Sequence, residues 1–159
     1  MIDTSCLIDL KNVPLAHHWA LFRQLEAMVE DGTIAMPRQV IREITAIAFP
    51  DVPGAWAKGV ESKLQHPLEA DYEIVGEVMD VAGEVIEDVS ASDPADPYVL
   101  ALALQLQRDR NDVTVVTEDD VDRLPLKISM ATACKRLKLA RRETAQFLRA
   151  IEGTRLPSK

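Results

Sequence analysis

Apolar residues recur at every third or fourth position through much of the chain, and short β-branched runs interrupt that rhythm. Leu15, Trp19, Phe22, Leu25 and Met28 form a stripe that predicts a helix from Leu15 to Asp31, closed by Gly32. Thr33 to Met36, bounded by Gly32 and Pro37, is too short for a helix and predicts a buried strand. Pro37 suits a first helical turn, and Val40, Ile41, Ile44 and Ile47 carry that helix onward. Pro50 to Gly54 breaks the chain before a helix around Trp56, Val60 and Leu64, which His66-Pro67 ends.

Glu69 to Asp88 predicts a further helix. Tyr72, Val75, Val78, Val81 or Ala82, and Val85 or Ile86 lie on one side, and eight acids with no base on the other. Asp96-Pro97 opens a strongly apolar helix to about Gln107. Val113 to Val116 is β-branched throughout and ends in Thr117-Glu118-Asp119-Asp120, a buried strand feeding a polar turn. Lys127-Ile128 predicts a last short strand, and Met130 to Glu152 a basic helix. At the front, Met1-Ile2 is a strand stub running into Asp3-Thr4-Ser5, followed by a brief helix from Leu7 to Leu10. Short apolar strands separated by helices predict an α/β fold, a sandwich around a parallel sheet, in one domain over residues 1–159.

Composition narrows the class. A chain of 159 residues, 47% hydrophobic and 28% charged, is a soluble globular domain. It is long enough to bury about 70% of its unfolded surface. The longest apolar run, Tyr98 to Leu104, falls well short of the roughly 20 residues a membrane span needs. Asp3 stands where a signal peptide would carry its basic and apolar regions, so a cytoplasmic location is expected. Cys6 and Cys134 have neither the number for a disulfide framework nor the spacing for structural zinc. His17 and His18 are adjacent, so on a helix they diverge and share no metal.

Charge is unevenly spread. Residues 1–126 hold 9 basic and 24 acidic side chains, whereas residues 127–159 hold 9 basic and 2 acidic, so a body of charge −15 meets an end of charge +7. The acidic body is a poor non-specific binder of nucleic acid, while the basic end can follow phosphates locally or simply form a solvated face.

In an open parallel sheet, functional groups gather beyond the carboxyl ends of the strands. Asp3 follows the first strand, Asp119 and Asp120 follow the Val113 strand, Glu43 lies on the helix entered from the Ile34 strand, and Asp96 starts the apolar helix. Singly, each has a plain structural role: Asp96 and Asp93 as helix caps before proline, Asp3 in a turn with Thr4 and Ser5, Glu43 as a surface acid. Together, such acids repel one another. A divalent cation relieves the repulsion and activates water for attack on a phosphodiester.

These segments resemble the PIN-domain family. Ile2-Asp3-Thr4-Ser5-Cys6-Leu7-Ile8-Asp9-Leu10 is similar to its opening signature, and Pro37 to Ile44 to the block whose helix supplies a glutamate. Asp96-Pro97-Tyr98-Val99-Leu100-Ala101-Leu102-Ala103 resembles the third block, and Val115-Val116-Thr117-Glu118-Asp119 the fourth, a strand ending in Thr-x-Asp. The four occur in the family's order within residues 1–120, and within the family the chain is most similar to VapC-type toxins.

The resemblance implies a PIN-like three-layer α/β/α sandwich with a short, mainly parallel central sheet. It also implies a Mg²⁺- or Mn²⁺-dependent ribonuclease. Asp3, Glu43, Asp96 and Asp119 would hold the metal, with Thr4 or Ser5, and Thr117, orienting those carboxylates. Asp93 and Asp120 are the neighbouring alternatives. Asp96 directly precedes the apolar helix, and Asp119 has the family's offset from Thr117. An in-line attack of water would leave a 5′-phosphate. A toxin of this kind is a homodimer inhibited by a protein antitoxin, and the basic segment with Lys135, Arg136, Lys138, Arg141 and Arg142 would contact RNA phosphates. With seven aromatics, recognition by base stacking is disfavoured.

Two rivals stand beside this reading. A Mg²⁺-dependent phosphatase would favour a second aspartate two residues after Asp3, where Ser5 stands. A catalytically inactive PIN-like module would bind protein or RNA, using for instance the acidic face of Glu69 to Asp88 on a basic partner.

Overall fold

The computed structural model describes residues 1–48, 51–87, 94–109 and 111–151. Its helices are α1 (Thr4–Asp9), α2 (Leu15–Glu30), α3 (Arg38–Ala48), α4 (Val52–Val60), α5 (Tyr72–Ala82), α6 (Asp96–Arg108), α7 (Met130–Leu137) and α8 (Thr144–Ala150). The strands β1 (Thr114–Val116) and β2 (Ala140–Arg142) pair in parallel, Thr114 opposite Ala140 and Val116 opposite Arg142. The fold is therefore α/β, mostly helical, around a short parallel sheet.

Two extended segments continue the sheet's hydrogen bonding without being strands in their own right. Ile2 forms a parallel bridge with Val116, through Val116 N–H to Met1 O at 2.9 Å and Asp3 N–H to Val116 O at 3.1 Å. Ile2 N–H in turn donates to Ala35 O at 3.0 Å. The segment Thr33 to Met36, expected as a strand, is thus buried at Ile34, Ala35 and Met36 but joined to its neighbour too sparsely to form a ladder.

Among the described residues, the buried apolar side chains other than Ile41 form one cluster from Met1 to Ile151. Helix α6 buries Val99, Leu100, Ala101, Leu102 and Ala103 in succession, as a helix enclosed on nearly all sides must. Helix α2 corrects the expected stripe. Leu15 and Trp19 are 81% and 78% exposed, and the face turned inward is Leu21, Phe22, Leu25 and Val29. Helix α5 likewise buries Ile74, Val78 and Ala82 and leaves Tyr72 and Val81 exposed.

Three further expectations fail for local reasons. The predicted break from Pro50 to Gly54 is mostly helix start, since Asp51 caps α4 through Val52 N–H and Pro53 sits in the first turn, where its missing N–H matters least. Lys127-Ile128 is no strand, only a bridge between Lys127 and Arg123. Met130 to Ile151 is two short helices with β2 between them. Lys138, at φ 58°, ends α7 in the left-handed region, a position glycine usually marks. Asp93 lies outside the described residues.

Candidate metal centre

The cleft begins with Asp3. Its position one residue before α1 lets Oδ1 accept from Thr4 N–H at 2.7 Å, capping the helix, while Oδ2 accepts from Ser5 Oγ at 2.7 Å and Thr117 Oγ1 at 2.8 Å. With their protons committed to Asp3, the two hydroxyls accept in turn. Glu118 N–H donates to Ser5 Oγ at 2.9 Å, and Asp119 N–H to Thr117 Oγ1 at 3.2 Å. The turn after β1 is therefore fastened to the start of α1 through one buried carboxylate. Burial pushes the Asp3 carboxyl up, against the Ser5, Thr117 and Thr4 hydrogen bonds that favour its charged form.

The other acids arrive from separate elements. Glu43, on α3, accepts from Thr4 Oγ1 at 2.5 Å. Asp96 is the first residue of α6, and burial together with the Asp3 charge pushes its carboxyl up to about 7, with Lys127 opposing. Asp119 is held at both ends: its carbonyl accepts from Ala131 N–H at 3.0 Å, and Oδ2 accepts from Met130 N–H at 3.3 Å at the start of α7. Asp3, Glu43, Asp96 and Asp119 line one open cleft of about 320 Å³, with Thr4 and Ser5 beside them. The elements bring together all four acids read from the sequence. Asp120 does not line this cleft.

Several lining groups escaped the sequence reading. Glu87 adds a fifth carboxylate, and Ile8, Ile47 and Ile86 supply apolar walls. Arg123 and Lys127 are the basic groups in the lining. Lys127 Nζ lies 3.2 Å from Asp96 Oδ2 and 3.0 Å from Asp119 Oδ2. Burial works against this ammonium, but the Asp96 charge and the Asp119 hydrogen bond outweigh it and hold Lys127 above its ordinary value. A signal for it existed in the sequence. Lys127 is the second of two basic residues, after Arg123, that follow the acids Glu118, Asp119, Asp120 and Asp122.

The donors are hard oxygens, with no histidine or cysteine among the lining residues, and suit Mg²⁺ or Mn²⁺ rather than zinc. Among the described residues, no three acidic, histidine or cysteine side chains converge closely enough to hold an ion as they stand. The Lys127 ammonium supplies the positive charge between Asp96 and Asp119.

The basic segment expected to contact RNA is dispersed. Arg136 pairs with Glu84 at 3.0 Å, and Arg141 donates to Thr117 O at 3.4 Å. Arg142 lines a different cavity, and Lys135 and Lys138 are exposed near the end of α7. None of the five lines the acidic cleft. The acidic face of α5 is partly neutralised, with Glu77 bound to Arg108 at 2.5 Å. Two of the three histidines make structural hydrogen bonds: His18 Nε2 donates to Val13 O at 2.7 Å and His66 Nε2 to Gly32 O at 2.6 Å. Among the described residues no helix is long and apolar enough to cross a membrane.

One family model matches residues 1–154, nearly the whole chain, under the description Domain of unknown function (DUF4411). The chain belongs to that family. No curated protein matches it, and no solved structure does.

Proposed function

We propose that this member of the DUF4411 family is a Mg²⁺- or Mn²⁺-dependent endoribonuclease built as a PIN-like three-layer α/β/α sandwich. The observation that carries the reading is the meeting of Asp3, Glu43, Asp96 and Asp119, from four separate elements, in one solvent-open cleft. A divalent ion held there would supply charge to the phosphate oxygens and lower the pKa of water. Asp3, Glu43, Asp96 and Asp119 are the residues that would hold it.

The chain's own groups do the rest. Ser5 and Thr117 keep Asp3 aimed, and Thr4 keeps Glu43 aimed. Asp96, whose carboxyl is pushed up to about 7 by burial and the Asp3 charge, would have to give up its proton to serve as a ligand. Water adds to phosphorus in line with the leaving 3′-oxygen, the P–O3′ bond breaks, and the products are a 5′-phosphate and a 3′-hydroxyl. The reading extends to a cytoplasmic toxin that forms a homodimer and is held by a protein antitoxin. Exposed Leu15 and Trp19, one turn apart on α2, offer an apolar surface for such partners.

A second reading has one observation in its favour. Lys127 already neutralises Asp96 and Asp119, which suits a binding module without turnover. Incubating a mixed RNA pool with the purified protein in Mn²⁺ or Mg²⁺ separates the two. The nuclease reading expects cleavage that stops in chelator and in Asp96→Asn. Cleavage that persists in that variant, or no cleavage with bound metal, overturns it.

A further inference from the structure

We propose that the cavity between α3 and α4 is a phosphate-binding site, built on the arginine pair Arg38 and Arg42 with Lys58 from α4. It is separate from the acidic cleft and does not rest on the nuclease reading. The cavity holds about 510 Å³, the size of a small-molecule site. Residues 1–126 carry 9 basic side chains against 24 acidic ones, and three of those basic side chains line this one cavity. Among the described residues, Glu61 is the only acid in the lining.

The cations are gathered there against the local electrostatics. Arg38 and Arg42 stand four apart on α3, so their like charges share one side of the helix and repel. Arg38 is also the first residue of α3, where a cation meets the positive end of the helix dipole. The fold answers this charge only in part. Lys58 Nζ reaches Glu61 at 2.8 Å and Arg38 Nη1 reaches Glu69 at 3.2 Å, while Arg42 has no ion pair or hydrogen bond among the described residues. Arg38 Nε is buried with no hydrogen-bond partner, a costly state for an N–H group. An oxyanion seated between the two guanidinium groups neutralises the pair, and their planar forks match phosphate oxygens two at a time. The apolar lining is Ile41 and Ala46, with no aromatic ring, so a base has nothing to stack on and the phosphate is the group recognised.

Calorimetric titration of pyrophosphate into the full chain in metal-free buffer tests this, with a uridine oligonucleotide as the second probe. Pyrophosphate should bind wild type at one saturable site and raise its melting temperature. Arg42→Gln, at an exposed position on α3, should weaken that binding about tenfold or more and abolish the thermal shift. Arg38→Lys, which keeps the charge and loses the fork, should also weaken it. Arg23→Gln, an equal loss of charge elsewhere on the surface, should not. If the oligonucleotide binds and weakens in the same variants, the phosphate is that of an RNA backbone. If it binds all of them equally or none, the phosphate belongs to a smaller molecule. No saturable binding of pyrophosphate, or equal losses in Arg42→Gln and Arg23→Gln, overturns the site. RNA cleavage plays no part in these readouts, so the nuclease reading can fail and leave the phosphate site standing.

Discussion

Thr117 Oγ1 donates to Asp3 Oδ2 at 2.8 Å across 114 positions of sequence, inside the buried part of the protein. The bond joins the end of β1 to the start of α1. Thr117→Val keeps the shape and deletes the donor, and should destabilise the fold by about 1–3 kcal/mol, since the acceptor is a buried carboxylate. Adding Ser5→Ala should have a non-additive effect, because both hydroxyls serve the same oxygen. Urea denaturation of the two single variants and the double variant measures the coupling, and strict additivity would contradict the shared role.

The pH dependence of stability follows from Asp96. A carboxyl raised on folding binds its proton more tightly in the native state. Its contribution is complete below the unfolded value of 3.8 and is lost as pH rises through about 7. Asp3 shifts in the same direction, whereas the lowered carboxyls of Glu26, Glu77 and Glu84 lose their contribution as pH falls from their ordinary value of 4.5, at the foot of this window, and do so equally in wild type and variant. In chelator, the melting temperature of the wild type should therefore fall between pH 4 and 7 more steeply than that of Asp96→Asn. Mn²⁺ should restore the wild type at the upper end and not the variant. Parallel curves for the two proteins would rule out Asp96 as the source.

Both thiols should be inert while the protein is folded. Burial pushes Cys6 and Cys134 each up to about 12, leaving almost no thiolate near neutrality. A colourimetric thiol reagent at pH 7.5 should react only at the rate of unfolding, and adding urea should release both groups. Rapid labelling without denaturant would contradict the packing.

The inward face of α2 can be read by truncation. Leu25→Ala should cost about 2–5 kcal/mol, while Trp19→Ala should change stability by no more than about 0.5 kcal/mol. Chemical denaturation distinguishes them, and equal losses would restore the face read from sequence.

Lys138 holds a left-handed conformation, with φ 58°, at the end of α7. Lys138→Gly removes the Cβ clash of that region and should stabilise the protein by roughly 1 kcal/mol. A lower melting temperature in that variant would show that the lysine side chain compensates in some other way.

Long periodic segments were legible from sequence. Helices α3 and α6 form where Val40 and Ile44, and Val99 to Leu106, place their apolar groups, and β1 forms where Val115 and Val116 crowd their β-carbons. The strand β2 was not legible. Ala140-Arg141-Arg142 carries no β-branched residue, and pairing with β1 alone makes it a strand. That Asp3, Glu43, Asp96 and Asp119 come to one cleft is legible because each stands beside an element boundary or on a periodic helix. Lys127 and Glu87 were missed because irregular backbone delivers them, and no period points at a loop.

The braces of Asp3 also order events during synthesis. Its carboxylate emerges from the ribosome more than a hundred residues before the hydroxyl of Thr117, the lysine at 127 and the strand Ala140–Arg142 that lines up β1. At about 5–20 residues per second, several seconds pass before the cleft has all its walls. A partly translated chain holds the acids without their geometry, so whatever the finished site does is withheld from the ribosome that makes it.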